Sequence, residues 1–208
     1  SAGTEATDAV FKLIRMHGQK LNKKRLGIIT FEGNWHGRTM GAQLLSSNAS
    51  QKHWIGQVDE NIHHLPFPYP WVMNGESGET FFAKAIEVLE KTGINLKEDL
   101  AGVVLETFQG WAAMFYPEDF VKSVRKFCDS NDILLSFDEM QAGFGRTGKK
   151  FGFEHYGVTP DLIAVGKGMG GGVPLSGVIG RKEILDLPEI GNMSSTHSAN
   201  PIVCAAGL

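Results

Sequence analysis

DLIAVGKGMGGGVP, residues 161–174, is the stretch from which the fold can be predicted. Its apolar run 162–165 predicts a short buried strand, and Lys167 follows that strand between Gly166 and Gly168. We expect the lysine to be buried at the end of the strand. Burial disfavours the ammonium form and frees the lone pair, so the position suits an amine that attacks a carbonyl.

A nucleotide phosphate-binding loop is a competing interpretation of the same glycine-rich segment. Such a loop needs Ser or Thr directly after its lysine and glycines at a fixed spacing before it. Gly168 follows Lys167, and the preceding glycines lack this spacing. The segment therefore does not predict a nucleotide site.

Similar apolar runs elsewhere in the chain predict the rest of a sheet. The predicted strands lie at residues 27–31, 102–106, 133–137, 162–165 and 175–180. Predicted helices cover residues 1–17, 80–91 and 181–186, with one opened by Pro117 and one that begins at Pro201. Residues 107–116 are predicted as a loop, and the proline-containing residues 51–77 as an irregular surface segment. Strands that alternate with helices favour an α/β fold: a mostly parallel sheet with helices on both faces, an αβα sandwich.

Chemically active side chains follow four of these strands. Trp35 and His36 come after the first, Glu106 ends the second, Asp138 follows the third, and Lys167 follows the strand at 162–165. The carboxyl ends of parallel strands meet at one edge of a sheet, where ligands of open α/β folds bind. We therefore expect these residues to converge on one site.

Some of these residues also have ordinary structural explanations. Trp35 and His36 could pack their loop down instead of binding a flat ligand. Asp138 could be the N-cap of a short helix. The residues alone leave these alternatives open.

The segment SAGTE, residues 1–5, has two interpretations as well. Gly3 and Thr4 at a helix start expose backbone N–H groups and a hydroxyl, which favour an anion. The ordinary alternative is a helix N-cap provided by Ser1 or Thr4.

The composition argues against several classes of protein. The 208 residues carry a net charge of −3 with both signs interspersed, which favours neither nucleic acid nor a polybasic membrane contact. No apolar run approaches the roughly 18 residues that a membrane span needs. Cys128 and Cys204 lie in apolar helical patterns and predict buried free thiols of a cytoplasmic protein. His63 and His64 have no Cys or acid at ligand spacing, so we expect no metal site.

One cofactor requires the set of side chains that these strand ends supply. Pyridoxal 5′-phosphate (PLP) needs a lysine that holds its aldehyde as a Schiff base and a carboxylate that pairs with its pyridinium nitrogen. Lys167 and Asp138 suit those roles, and an aromatic ring such as that of Trp35 can stack on the flat cofactor. A helix start can hold the phosphate. Lys167, once released from the cofactor, is also the natural base for the substrate proton.

The order and spacing of several segments resemble the large PLP-binding domain of class III (omega-amino-acid) aminotransferases. These segments are SAGTEATDAV (1–10), NWHGRT (34–39), ETFQG (106–110), SFDEMQAGFGRTGK (136–149), GKGMGGGVPLSGVIG (166–180) and STHSANP (195–201). The resemblance covers essentially the whole chain and implies the fold type I of PLP-dependent transferases.

The resemblance implies a role for each site residue by its position. Lys167 corresponds to the Schiff-base lysine and Asp138 to the partner of the pyridine nitrogen, and these are the catalytic residues. The implied cofactor-binding residues are these two together with Gly3, Thr4, Trp35, His36, Glu106, Gln141 and Thr196. Gln141 would contact the phenolic oxygen, Glu106 would lie near the substrate side, and Thr196 would reach the phosphate in the partner subunit of a homodimer.

The implied reaction moves an amino group between an amino donor and a keto acid or aldehyde. An aminomutase, racemase or decarboxylase on the same scaffold is an alternative, and so is an inactive PLP-binding fragment. The chain departs from the family pattern at Trp35, where Phe or Tyr is common, and at Trp111, where the family often has Glu. His197 also replaces a more usual aromatic after Thr196.

Both ends of the sequence lie inside recognisable patterns, and there is no initiator Met. Family members are considerably longer. We therefore interpret residues 1–208 as a single PLP-binding large domain from a longer protein, without the N-terminal segment and the C-terminal small domain.

Overall fold

The structure, a computed structural model, describes residues 2–208. Ser1, one of the predicted capping residues, lies outside the described residues. The strands are, in chain order, β1 (Gly27–Phe31), β2 (Ile62–Leu65), β3 (Leu100–Glu106), β4 (Phe108–Gln109), β5 (Met114–Phe115), β6 (Leu134–Asp138), β7 (Leu162–Val165) and β8 (Gly177–Gly180). The helices are α1 (Gly3–Lys20), α2 (Met40–Leu45), α3 (Pro70–Met73), α4 (Gly78–Lys91), α5 (Leu96–Asp99), α6 (Glu118–Asn131), α7 (Lys182–Leu185) and α8 (Pro201–Ala206).

The main sheet has the strand order β2-β1-β3-β6-β7-β8. All neighbouring strands are parallel except β8, which runs antiparallel to β7. From β1 the chain moves outward to β2 and then returns to the other side of β1 as β3. Such a reversal leaves a crevice at the carboxyl ends of β1 and β3, which is where open α/β sheets bind ligands.

Helices cover both faces of the sheet because alternate strand residues point to opposite sides. One face packs against the apolar stripes of α4 and α6, whose buried residues include Phe82 and Phe120. The other face packs against α1, where Val10 and Ile14 contribute to the core. The predicted mostly parallel αβα sandwich is confirmed.

Several predicted element boundaries need correction. The strand IHHL of β2 lies inside the segment 51–77 that we predicted as irregular, and α3 follows at its prolines. The predicted loop 107–116 contains the small antiparallel pair β4–β5. Pro117 is the N-cap of α6 and precedes its first helical residue, and β8 begins at Gly177 instead of residue 175.

The prediction of buried thiols is confirmed for one cysteine and wrong for the other. Cys128 is buried as predicted, but Cys204 is exposed because it lies on the short terminal helix α8, none of whose residues is buried.

No helix within residues 2–208 combines the length and apolarity that crossing a membrane requires.

Candidate active site

A cleft of about 320 Å³ lies beyond the carboxyl ends of β1, β3, β6 and β7. Most of the residues singled out in the sequence line it together: Gly3, Thr4, Trp35, His36, Glu106, Asp138 and Lys167. They come from five separate segments of the chain, so their convergence is a product of the sheet topology.

Asp138, the last residue of β6, is buried at the floor of this cleft. Its Oδ2 lies 2.9 Å from His36 Nδ1, and its Oδ1 accepts a hydrogen bond of 3.0 Å from the backbone N–H of Met140. The second contact closes a local turn, and no helix begins at Asp138, which removes the helix-cap explanation. Each carboxylate oxygen offers two lone-pair directions, so the carboxylate keeps acceptor capacity toward the cleft.

His36 is held from three sides, and its side chain is fully buried. Its backbone N–H donates to Ser46 Oγ at 2.8 Å, while its Nε2 lies 3.3 Å from Thr30 Oγ1. With Nδ1 directed at Asp138, the imidazole has both ring nitrogens engaged. A ring fixed in this way orients the carboxylate and stabilises its charge.

Glu106, at the end of β3, is the register partner of Asp138 on the neighbouring strand. Its Oε2 accepts hydrogen bonds from the backbone N–H groups of Trp35, at 3.1 Å, and Gly110, at 3.4 Å. Burial raises the pKa of Glu106 to about 7, and the neighbouring Asp138 carboxylate adds to the rise. Glu106 therefore fastens the aromatic loop after β1 and can change its charge near neutral pH.

Trp35 lies at the rim of the cleft with 39% of its surface exposed. The Arg38 guanidinium carbon lies 4.5 Å from the centre of a Trp35 ring, within the range of a cation–π contact. The loop therefore packs in part against the protein, through His36, and in part presents an aromatic face and a cation to the cleft. The packing interpretation of the loop is confirmed for His36, whereas ligand binding by Trp35 stays a prediction.

The start of α1 forms one wall of the cleft. Its N-cap is Ala2, which has no side chain that could accept from the first turn. Thr4 is not the N-cap; its Oγ1 accepts from the backbone N–H groups of Arg38 and Thr39, each at 3.2 Å. The hydroxyl thus ties the helix start to the loop that carries Trp35.

Glycine is required where this loop meets α1. A Cβ on Gly37, whose φ is +134°, would lie 2.3 Å from Thr4 Oγ1. A Cβ on Gly3 would lie 2.8 Å from the sulfur of Met140. Larger residues would therefore separate the helix start from the rest of the cleft.

Lys167 lies directly beyond β7, as predicted, but it is exposed, so the expectation of burial was wrong. Its glycine neighbours carry no side chains that could cover it, and the chain turns there into a short 3₁₀ helix, Lys167–Gly170. Its φ of +38° lies in the left-handed region, which is unfavourable for a residue with a Cβ. Strain of this kind persists where surrounding structure imposes it, often at functional sites.

A second cleft of about 660 Å³ borders the first, and Lys167 and Met140 line both. Gln141 lies in this second cleft with Phe144 and Arg146 of the following loop. Thr196 is exposed and lines neither cleft within the described residues. The structure therefore places Gln141 next to the other predicted residues and Thr196 apart from them.

The sequence interpretation missed two residues of this region. Met140 separates the two clefts, and Arg38 supplies the cation beside Trp35. Both belong to the quoted motifs, since Met140 comes two positions after Asp138 and Arg38 two positions after His36. Their proximity to predicted site residues was the available signal.

The fold and the cleft define a class of protein with solved examples. A crystal structure of an amine transaminase from an uncultivated Pseudomonas species, described as PLP-bound in the internal aldimine form, superposes with a TM-score of 0.84 at 27% identity. The match covers 100% of this chain and 50% of that one. The fold is therefore that of PLP-dependent transaminases.

Sequence comparison identifies the family. The family model "Aminotransferase class-III" matches residues 1–208, so the chain belongs to this family. A 2-aminoadipate transaminase of Pseudomonas putida is 35% identical over 212 residues, and an alanine/serine racemase of Pyrococcus horikoshii is 37% identical over 214 residues. The matches cover 100% and 98% of this chain but only 48% and 44% of the relatives, so the chain spans about half their length.

Proposed function

We propose that residues 1–208 form the PLP-binding large domain of a class III aminotransferase. In this proposal the protein transfers an amino group between an amino donor and a keto acid or aldehyde. The observation that carries the proposal is the single cleft that joins Lys167, the His36–Asp138 pair, Trp35 and the start of α1. The family membership and the PLP-bound transaminase of the same fold support it.

The residues present fit pyridoxal phosphate. Bound PLP supplies an electron sink that acidifies the C–H bond next to an amino group. Asp138, oriented by His36, would hold a proton on a ring nitrogen at the cleft floor. Lys167 supplies the amine that links to an aldehyde and can move a proton once it is free.

The cleft walls would hold the rest of the cofactor. The first turn of α1, at Gly3 and Thr4, suits the phosphate, because the N-cap Ala2 has no side chain to accept from its backbone N–H groups, which lie at the positive end of the helix dipole. The exposed face of Trp35 suits the flat ring. Arg38 adds a cation for an anionic group of the ligand.

Other assigned roles are part of the same proposal. Gln141 would contact the phenolic oxygen from the border of the second cleft, and Glu106 would support the substrate side by fastening the Trp35 loop. Thr196, apart from this cleft, would act in the partner subunit of a homodimer. A cytoplasmic location, like the homodimer, remains a prediction.

A labelling experiment tests the proposal. The chain is mixed with PLP, reduced with borohydride and digested, and the modified peptide is identified by mass spectrometry. The label is expected on Lys167. Lys167→Ala should abolish it, and Lys149→Ala, which removes an exposed lysine of the neighbouring loop, should not. Equal labelling of Lys167→Ala would refute the assignment.

Racemisation is the second candidate, because the alanine/serine racemase of Pyrococcus horikoshii is 37% identical. The two reactions differ in what happens to the amino group. A transaminase passes it to an added keto acid, whereas a racemase inverts a single amino acid without an acceptor. Chiral analysis with and without a keto acid separates them, and inversion without transfer would contradict the transaminase proposal.

A further inference from the structure

The arginines of the chain fall into two groups by their ion pairs. Four of the six pair with carboxylates: Arg15, Arg25, Arg125 and Arg181. Across residues 2–208, the side chains of Arg38 and Arg146 have no carboxylate at ion-pair distance. Arg38 lines the first cleft and Arg146 lines the second. An unpaired guanidinium at a cleft is free to bind an anionic group of a ligand.

The two clefts differ in the charges of the side chains that line them. The first contains two acidic side chains, Glu106 and Asp138, so a further carboxylate is disfavoured there by like-charge repulsion. The lining of the second contains the cations Arg146 and Lys167 and neither Asp nor Glu. A ligand that carries a carboxylate therefore has its more favourable position for that group in the second cleft.

The second cleft is also placed where a substrate has to go. The clefts meet at Lys167, which lines both of them. The proposed function puts the flat cofactor ring in the first cleft and its link to the protein at Lys167. A substrate amine joined to the cofactor at that point can extend into the second cleft, whose volume of about 660 Å³ exceeds the 320 Å³ of the first.

The loop that carries Arg146 has a defined backbone. It turns at Gly145 and Gly148, each with a φ of +86°, and the N–H of Gly148 donates to the carbonyl of Gly145 at 3.1 Å. The residue after Arg146 is held as well, because His155 Nε2 lies 3.1 Å from Thr147 Oγ1. A loop fixed in this way loses less conformational entropy when one of its side chains binds a ligand.

We propose that the second cleft binds the carboxylate of the substrates and that Arg146 is its anchor. This inference rests on the proposed function and narrows its substrate class to amino acids and keto acids, excluding simple amines and aldehydes that lack a carboxylate. The planar guanidinium of Arg146 offers two parallel N–H donors, which match the two oxygens of a carboxylate. Arg38 is left for the phosphate-bearing ligand of the first cleft.

Two ligands that differ only in a carboxylate test the inference. Phosphopyridoxyl-alanine and phosphopyridoxyl-ethylamine are stable reduced conjugates of the cofactor with an amino acid and with the corresponding amine. Both carry the same ring and phosphate, so their affinity ratio reports the carboxylate alone. Titration calorimetry of the chain without cofactor measures both affinities. The parent chain should bind the alanine conjugate about tenfold more tightly, as expected for one charge-assisted hydrogen-bonded pair.

Variants of the loop assign the preference to one side chain. Arg146→Met should reduce the affinity ratio to about one, and any change common to both conjugates cancels in that ratio. Lys149→Met is the matched control, because this exposed lysine of the same loop lines neither cleft, and it should keep the tenfold ratio. Arg146→Lys should keep part of the ratio, since it retains the charge without the paired donors.

The possible failures are distinguishable. Equal affinities of the parent chain for the two conjugates would overturn the inference and leave the proposed function standing. A preference that survives in Arg146→Met would overturn it too, and its loss in Arg38→Met instead would assign the carboxylate to the first cleft. A parent chain that binds neither conjugate would contradict the cofactor site of the proposed function, and the inference would fall with it.

Discussion

Two buried aspartates lie at opposite ends of the parallel strands and differ in their hydrogen-bond partners. Asp138 ends β6 at the carboxyl edge, and Asp161 precedes β7 at the amino edge. They are 5% and 8% exposed, so burial does not distinguish them. What distinguishes them is whether the chain itself provides all of their partners.

Asp161 is surrounded by donors from the protein. Its Oδ2 accepts from Arg125 Nη1 at 2.9 Å and from the backbone N–H of Leu135 at 2.8 Å, and Arg181 approaches Oδ1 at 3.4 Å. Asp138 has His36, one backbone N–H and a cleft. A buried carboxylate with a full set of partners stabilises the fold, whereas one that faces a cleft can serve a ligand.

Asp161→Ala should have the largest effect on stability. It leaves the half-buried Arg125 guanidinium and the Leu135 N–H without their partner, which costs about 3 kcal/mol of unfolding free energy. Denaturant unfolding measures the loss. PLP affinity per folded molecule should not change, and a parallel fall in affinity would mean that the two edges are coupled.

Asp138→Asn should weaken PLP binding and have little effect on stability. The loss of a charge-assisted hydrogen bond should weaken PLP binding about thirtyfold, or about 2 kcal/mol, while the link to Lys167 still forms. Absorption titration measures the affinity, and unfolding of the same variant measures its stability. If Asp138→Asn were destabilised as strongly as Asp161→Ala, Asp138 would be a structural residue like its counterpart.

The sequence predicted the residues of the carboxyl edge more accurately than their exposure. Apolar runs located β1, β3, β6 and β7 within about two residues, because buried parallel strands are continuous in hydrophobicity. The predicted strand ends were therefore enough to place Asp138 and Glu106 at the same edge, where they are register partners. It could not show that Lys167 is exposed, because exposure depends on which other segments reach that side chain.

The sequence was less informative about β2, the outermost strand of the sheet. β2 reads Ile-His-His-Leu between polar and proline-rich residues, so neither alternation nor an apolar run marks it as a strand. It becomes a strand because β1 offers a free edge for pairing. For the same reason His64 gave no signal of its buried contact with Lys52, which depends on the tertiary fold.

Glu106→Gln tests a pH effect that only the cleft edge should have. Because the pKa of Glu106 is raised from an ordinary 4.5 to about 7, the folded chain holds a proton between these values that the unfolded chain releases. This contribution to stability is full below pH 4.5 and declines as the pH rises to about 7. Gln cannot titrate, so its variant should gain stability relative to the parent with rising pH, by about 3 kcal/mol over this range.

Unfolding curves of the two chains at several pH values measure that gain. The decisive quantity is the slope of the stability difference with pH, since the loss of a hydrogen bond to Trp35 or Gly110 would add only a constant. A difference that stays level from acid to neutral pH would argue against a titrating Glu106.

Lys167→Gly should have the smallest effect, and it separates function from stability at a single residue. Lys167 has a φ of +38°, in the region that favours glycine, whereas Asp161 at the other edge is not among the residues of positive φ in the described chain. Glycine relieves that strain, but it also loses more backbone entropy on folding. We expect Lys167→Gly to be more stable than Lys167→Ala by about 1 kcal/mol, while neither variant is labelled by PLP. Calorimetry of the pair measures the difference. An alanine variant at least as stable as the glycine variant would show that the backbone at Lys167 carries no strain. The carboxyl edge would then differ from the amino edge only in the hydrogen-bond acceptors that Asp138 leaves unused.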